Sequence, residues 1–347
     1  MNKKELTDCL KAAGVYAGLI IGAGFMSGRE IIDFFLKYGD LGYAGMLLSC
    51  LAFYLCGRFV FEICLITGIS SYREFSLKIF GAASPFLEFG SSVFMLALFS
   101  AMLAAAGSLC SEIWGIPVII GSASAAALCF AVFLTGVSGF ARLNLLLTPF
   151  MLIGGAASAL SGARPTEALP GSLTLGGAVA SAASAVVYAS YNIASAAPVL
   201  VAASEYAGSR RAAKYAPFLA SLGLLSLGLC VSLPFRKAAG PFGQIPMLYA
   251  ARGGLRAFYA AVLVAAIITT AVGNFYAFVT WAAESVAAPK RRKKAAKIVI
   301  AAFFAVLGAR LSSFGFSSFV TKVYPVFAVT GLAQFLCVCR YRWRLRG

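Results

Sequence analysis

The chain has no histidine, and only 12% of its 347 residues are charged. The first absence removes the commonest general base and metal ligand. The second falls to half of what a soluble domain carries, about 25%, and excludes a soluble fold. Nine cysteines are present, but their spacing fits no zinc pattern. Cys50, Cys56, Cys64, Cys129 and Cys230 fall inside apolar runs, and Cys337 and Cys339 lie at the end of another. No nucleophile–base pairing or ligating cluster stands out, so the sequence does not read as an enzyme. Residues Met1 to Glu5 lead into a long apolar segment with no small-residue cleavage site, so no cleavable signal is expected.

What the chain has in abundance is apolar length. Hydrophobic residues make up 61% and mean hydropathy is +0.89. Several runs exceed the roughly 18 residues that a bilayer crossing needs. The expected fold is an all-α membrane protein of ten spans, at 10–36, 41–66, 85–110, 117–138, 141–162, 172–204, 212–235, 255–286, 295–311 and 317–339. Between the second and third, SSYREFSLKIFG predicts a short interfacial helix.

The net charge of +17 resides at the span ends, which argues for membrane orientation and against a nucleic-acid partner. With the N-terminus inside, 20 of the 29 Lys and Arg fall on the cytoplasmic side, including Lys290 to Lys297 and the tail from Arg340 to Arg346. Both termini are then expected in the cytoplasm of a bacterial cell, with the bilayer as the chain's surroundings. Binding of anionic lipid by the same basic residues is the other reading. Ten spans divide into 1–162 and 172–339, with 340–347 a basic tail. Five is an odd number, so a second copy would enter from the opposite side as an inverted repeat. Span 1 would then correspond to span 6, and span 3 to span 8.

Span 1 contains GLIIGAGFMSGREIIDFF, with Gly22, Gly24 and Gly28 inside an apolar run and three charges behind them. Each glycine lowers helix stability. Close packing of helices through small residues is one explanation. The other is an unwound midpoint whose freed carbonyls and amides bind a cation and a carboxylate. Arg29, Glu30 and Asp33 should face a cavity or each other, and Arg29 and Asp33 are spaced to pair along a helix. Span 6, AVVYASYNIASAAPVLVAA, carries Tyr188, Ser190, Tyr191, Asn192 and Ser195 before Pro198. That patch predicts either a second interruption or hydrogen bonding between helices.

The two motifs GAGFMSGREIIDFF and YASYNIASAAPVLV resemble those of the YkvI-like membrane proteins of bacteria. That group is placed in the amino acid–polyamine–organocation superfamily of transporters, with a LeuT-type five-plus-five fold and broken helices 1 and 6. The resemblance implies a sodium site between spans 1 and 8. Its ligands would be the carbonyls of Gly18 and Ile21 together with Ala266, Thr269 and Thr270 of the AIITT step. Thr269 and Thr270 could also simply bond back to carbonyls one turn earlier. Span 5 offers Asn144 and Thr148 but no lysine, unlike some proton-coupled relatives.

For cargo, the resemblance implies a pocket among spans 1, 3, 6 and 8. Amides around Ala23, Gly24, Phe25 and Met26 would receive a carboxylate, and carbonyls near Tyr188 to Asn192 an amine. Phe94, Leu98 and Asn274 would form side walls. Glu30 or Asp33 could pair with Lys322 as an outer gate, or Lys322 could extend to the surface. The function implied is sodium-coupled symport of a small neutral amino acid or related zwitterion by alternating access. Proton-coupled or uncoupled transport, and a receptor that keeps the pocket without moving cargo, are the rival readings.

Overall fold

The computed structural model describes residues 3–135, 153, 157, 174–235, 243–250, 254–285 and 293–345. Within these residues every expected apolar run is helical, and no strand occurs. Span 1 is divided into α1 (Lys3–Ile20), α2 (Ala23–Met26) and α3 (Arg29–Phe34). Spans 2, 3 and 4 are α4 (Leu41–Thr67), α6 (Ser84–Trp114) and α7 (Val118–Leu134). Spans 6 and 7 are α8 (Leu175–Ala203) and α9 (Arg210–Ser232), followed by the short α10 (Pro246–Ala250). Spans 8 and 9 are α11 (Gly254–Ser285) and α12 (Lys293–Leu311). Span 10 is α13 (Tyr324–Arg344), entered through a helical turn at Phe316–Ser318 and a π-helical segment at Phe319–Val323. The expected fifth span, 141–162, with Asn144 and Thr148, lies outside the described residues.

Among the described residues, seven helices are long and apolar enough to cross a membrane. Of the rest, α1 is 18 residues long but carries Lys3, Lys4, Glu5, Asp8 and Lys11, and α7 has only 17 residues. The expected interfacial helix is α5 (Tyr72–Phe80). Its start is fixed by Ser71, whose hydroxyl accepts the Glu74 amide at 3.3 Å, the N-cap arrangement that satisfies an orphan donor. It turns Phe75, Ile79 and Phe80 inward.

The helices are drawn together by small residues and serine hydroxyls, since apolar area alone gives no preference for protein over lipid. Ser49 and Ser184 donate across helices to the Ala185 and Phe34 carbonyls, at 3.0 and 2.8 Å. Gln334 of α13 donates to Ser91 of α6 at 2.7 Å. Glu62 of α4 holds both Arg58 and, across the fold, Arg342, at 2.8 and 2.6 Å. All nine cysteines are free thiols.

The pairing of spans has a regular form. Span 1 packs on span 7 and span 6 packs on span 2; span 2 also packs on span 7, span 3 on span 8, and span 4 on span 9. Adding five to each number converts the first pair into the second and returns the other three to themselves.

Candidate functional site

The break in span 1 arises from backbone bonds that change partner. The Ile21 amide still reaches back one turn to Ala17, at 3.0 Å. The next amide, of Gly22, donates instead to the Ile20 carbonyl at 2.8 Å. The Gly18 carbonyl thereby loses its helical partner. Helix resumes at Ala23 for a single turn, in which Met26 and Ser27 donate to Gly22 and Ala23 at 3.0 and 2.7 Å. A second change of direction follows at Gly28, whose φ of +78° suits glycine above other residues. A Cβ there would also lie 2.8 Å from the Phe235 ring.

Unwound backbone inside a membrane protein needs new partners, and the chain supplies them from distant segments. The Tyr259 hydroxyl donates to the Met26 carbonyl. The Met247 amide of α10 donates to the Ser27 carbonyl at 2.9 Å, while Ser27 Oγ donates to Gly24 at 2.9 Å. Gln244 accepts from the Ser317 amide at 2.8 Å, so the segment 243–250 joins the break to the entry of span 10. Neither Tyr259 nor this segment had a signal in the sequence strong enough to single it out.

Span 8 meets the break directly. A Cβ on Gly22 would sit 3.6 Å from both Oγ1 and Cγ2 of Thr270. The buried Thr269 hydroxyl lies 3.0 Å from the Ala265 carbonyl and 3.1 Å from that of Ala266. These are the bonds a threonine makes back to its own helix, the alternative reading of this step. The structure therefore brings Thr270 to the glycine break with Thr269 and Ala266 on the same helix. Asn274 donates to the Thr270 carbonyl at 2.8 Å. Its amide is spent within its own helix, so its expected place in the cargo wall is not evident.

The gate residues divide. Arg29 and Asp33 form the expected pair, 2.7 Å apart, and Arg29 also reaches the Gly243 carbonyl at 3.5 Å. Lys322 lies exposed on the π-helical segment, and no ion pair between it and Glu30 or Asp33 is present. This corrects the expected gate: Asp33 is taken by Arg29 four residues away, and Lys322 extends to the surface.

Glu30 does not point along an outward path either. It is 6% exposed and folds back on Gly24, where a Cβ would fall 2.1 Å from its carboxyl oxygen. The hydroxyls of Tyr191 and Tyr188 face it. Neither closes a hydrogen bond of good geometry, and together with that of Tyr324 they are buried without a partner. The rings form one cluster: Tyr191 lies 5.4 Å from Tyr188 and Phe34, 5.1 Å from Tyr324 and 6.0 Å from Phe94. Phe94, expected as a side wall of the pocket, belongs to this ring cluster, whereas Tyr324 and Phe34 were not foreseen.

Span 6 departs from expectation. α8 runs unbroken through Tyr188–Asn192 and carries Pro198 within it. Its polar side chains turn back on their own helix: Asn192 donates to Tyr188 at 2.9 Å and Ser195 to Asn192 at 3.0 Å. Carbonyls engaged in a continuous helix are not open to an amine, which corrects the role given to the stretch from Tyr188 to Asn192. The Ser190 carbonyl also abuts Gly331 of span 10, where a Cβ would come within 1.7 Å.

No protein-family model matches the chain. It is 27% identical over 343 residues to the uncharacterized membrane protein YkvI of Bacillus subtilis, covering 92% of each chain. Among solved structures it is similar to a Na+-coupled sialic acid symporter in a substrate-bound outward-open state, with a TM-score of 0.59 and 12% identity over 92% of this chain and 75% of that one. It is also similar to the manganese transporter of Eremococcus coleocola, with a TM-score of 0.58 and 13% identity over 94% and 77% of the two chains. At such identities the likeness is one of fold, and the proteins that share the fold are membrane transporters.

Proposed function

We propose that this chain is a secondary active transporter that works by alternating access, with sodium as its coupling ion and a small amino-acid-like molecule as cargo. The observation that carries the reading is the unwound Ile21–Gly22 step facing Thr270 of span 8, in a fold shared with transporters. The five-shift symmetry of span packing supports a ten-span inverted repeat, 1–162 and 172–339, and the Lys and Arg at the span ends support a place in the bacterial cytoplasmic membrane with both termini inside.

Sodium is a hard cation that takes oxygen ligands. The carbonyls of Gly18, Ile21 and Ala266 and the hydroxyls of Thr269 and Thr270 are the donor set offered here. The Gly18 carbonyl freed by the break fits that chemistry. Binding there would tie α1 to span 8 and so bias the position of the broken span, the differential contact that alternating access requires. The amides of Ala23, Gly24 and Phe25 at the start of α2 are the side offered to cargo.

A metal cargo is disfavoured, because among the described residues no group of three or more Cys, Asp or Glu is placed to hold a metal ion. The test is flux into proteoliposomes from purified chain under an imposed sodium gradient, with a panel of labelled amino acids. Accumulation that follows the sodium gradient is expected. Counterflow without net uptake along any cation gradient would remove the symport reading.

A further inference from the structure

Among the described residues, no cation pairs with Glu30. Arg29 is engaged by Asp33 at 2.7 Å. The groups that face Glu30 are Tyr188 and Tyr191 of α8, Tyr324 of α13, and Asp33, a like charge on its own helix. Among the described residues, the other elements packed on α3 add no nearby cation. α2 has no titratable residue, the bases of α9 are confined to its first turn and a half, leaving Cys230 near its end, and Lys37 and Lys322 are exposed. A carboxylate taken out of water with no countercharge costs several kcal/mol, of order 3–5. Such a group inside a membrane protein calls for a partner; the tyrosine hydroxyls facing it can donate hydrogen bonds but supply no countercharge.

The surroundings specify what that partner is. Tyr188, Tyr191 and Tyr324 lie beside the carboxyl and pack with Phe34 and Phe94 in one aromatic cluster, a setting that favours an organic cation over a hard metal ion. The unpartnered hydroxyls of Tyr188, Tyr191 and Tyr324 add oxygen acceptors for N–H donors. Gly24 leaves the notch into which the carboxyl folds. Since α8 is continuous, its backbone cannot take over this role.

We propose that Glu30, caged by Tyr188, Tyr191 and Tyr324, binds the ammonium end of the cargo. This deepens the transporter reading and rests on it for the identity of the ligand as cargo. It assigns the cargo a protonated amino group as its main point of recognition and leaves its other end to the remaining walls of the site.

The test uses the full-length purified chain and n-propylammonium as probe, with propionate as the anionic control, read by ligand-induced thermal stabilisation and by calorimetry. Propylammonium is expected to bind and propionate not. Glu30→Gln should weaken the binding about 30-fold or more, the loss expected when one member of a buried charge pair is removed. Glu30→Asp should retain weakened binding. Gly24→Ala, which keeps every charge but fills the notch, should lose it. Equal binding of propionate, no binding of propylammonium, or an unchanged response in both Glu30→Gln and Gly24→Ala would overturn the assignment. So would a pH response of stability that vanishes in Glu30→Gln while propylammonium fails to bind, since Glu30 would then be a proton site. A chain that binds propylammonium through Glu30 yet moves no solute into proteoliposomes would keep this site and refute transport.

Discussion

Span 1 unwinds at Ile21–Gly22, whereas span 6, its counterpart five spans on, continues as one helix through Tyr188 and Pro198. Both contain small and polar residues in an apolar run, so residue type alone does not decide the outcome. The difference lies in where the polar groups find partners. In span 1, Gly22 and Gly24 together weaken the helix by about 2 kcal/mol relative to alanine, and Tyr259 and Met247 are in place to satisfy the opened backbone. In span 6 the alanines favour helix, and Asn192 and Ser195 bond within their own turn. A break therefore needs both a weak local helix and an outside source of hydrogen bonds. Span 6 lacks the first, and the outside donor that does reach it, Ser49 on the Ala185 carbonyl, meets an intact helix.

That contrast can be attacked from either side. The largest effect is expected at Gly331→Ala, where the new methyl meets the Ser190 carbonyl of the unyielding α8 backbone. A loss of about 3 kcal/mol or more is expected, measured by denaturation of the purified chain. Next is Thr269→Ala with Thr270→Ala. Sodium at a hundredfold excess over its Kd stabilises a folded chain by about 2.7 kcal/mol, and this double variant should lose that response. An unchanged sodium response would remove the ion assignment. Arg29→Gln leaves Asp33 unpaired in a largely buried position and should cost about 2 kcal/mol, between exposed and fully buried pairs. Asn192→Ala should be mildest, under about 1 kcal/mol, because its amide only duplicates a bond that the helix already makes. A loss as large as that at Gly331 would show that span 6 depends on its polar patch in a way a continuous helix does not.

Features set by local chemistry were legible in the sequence. Apolar length marked the spans, the SSYREFSLKIFG run marked α5, the glycines marked the break, and four-residue spacing marked the Arg29–Asp33 pair. The placement of Thr270 against Gly22 also followed, through the resemblance of the AIITT step. What escaped were contacts across the chain: the Tyr259 hydroxyl on Met26, 233 residues away, and Tyr324 beside Glu30. The Lys322 gate failed because a nearer partner for Asp33 was already in the same helix. The signal for Glu30 was present from the start, since an acid in a membrane span needs a partner, but the rings that surround it come from four separate spans.

The central claim is that the Ile21–Gly28 stretch is the sodium-responsive joint of the molecule. Hydrogen–deuterium exchange in sodium against potassium tests it most directly. Sodium should slow exchange at the amides of residues 21–28 and leave those of residues 188–195 in α8 unchanged. Equal exchange in the two ions across residues 21–28, or an equal response in both spans, would contradict it.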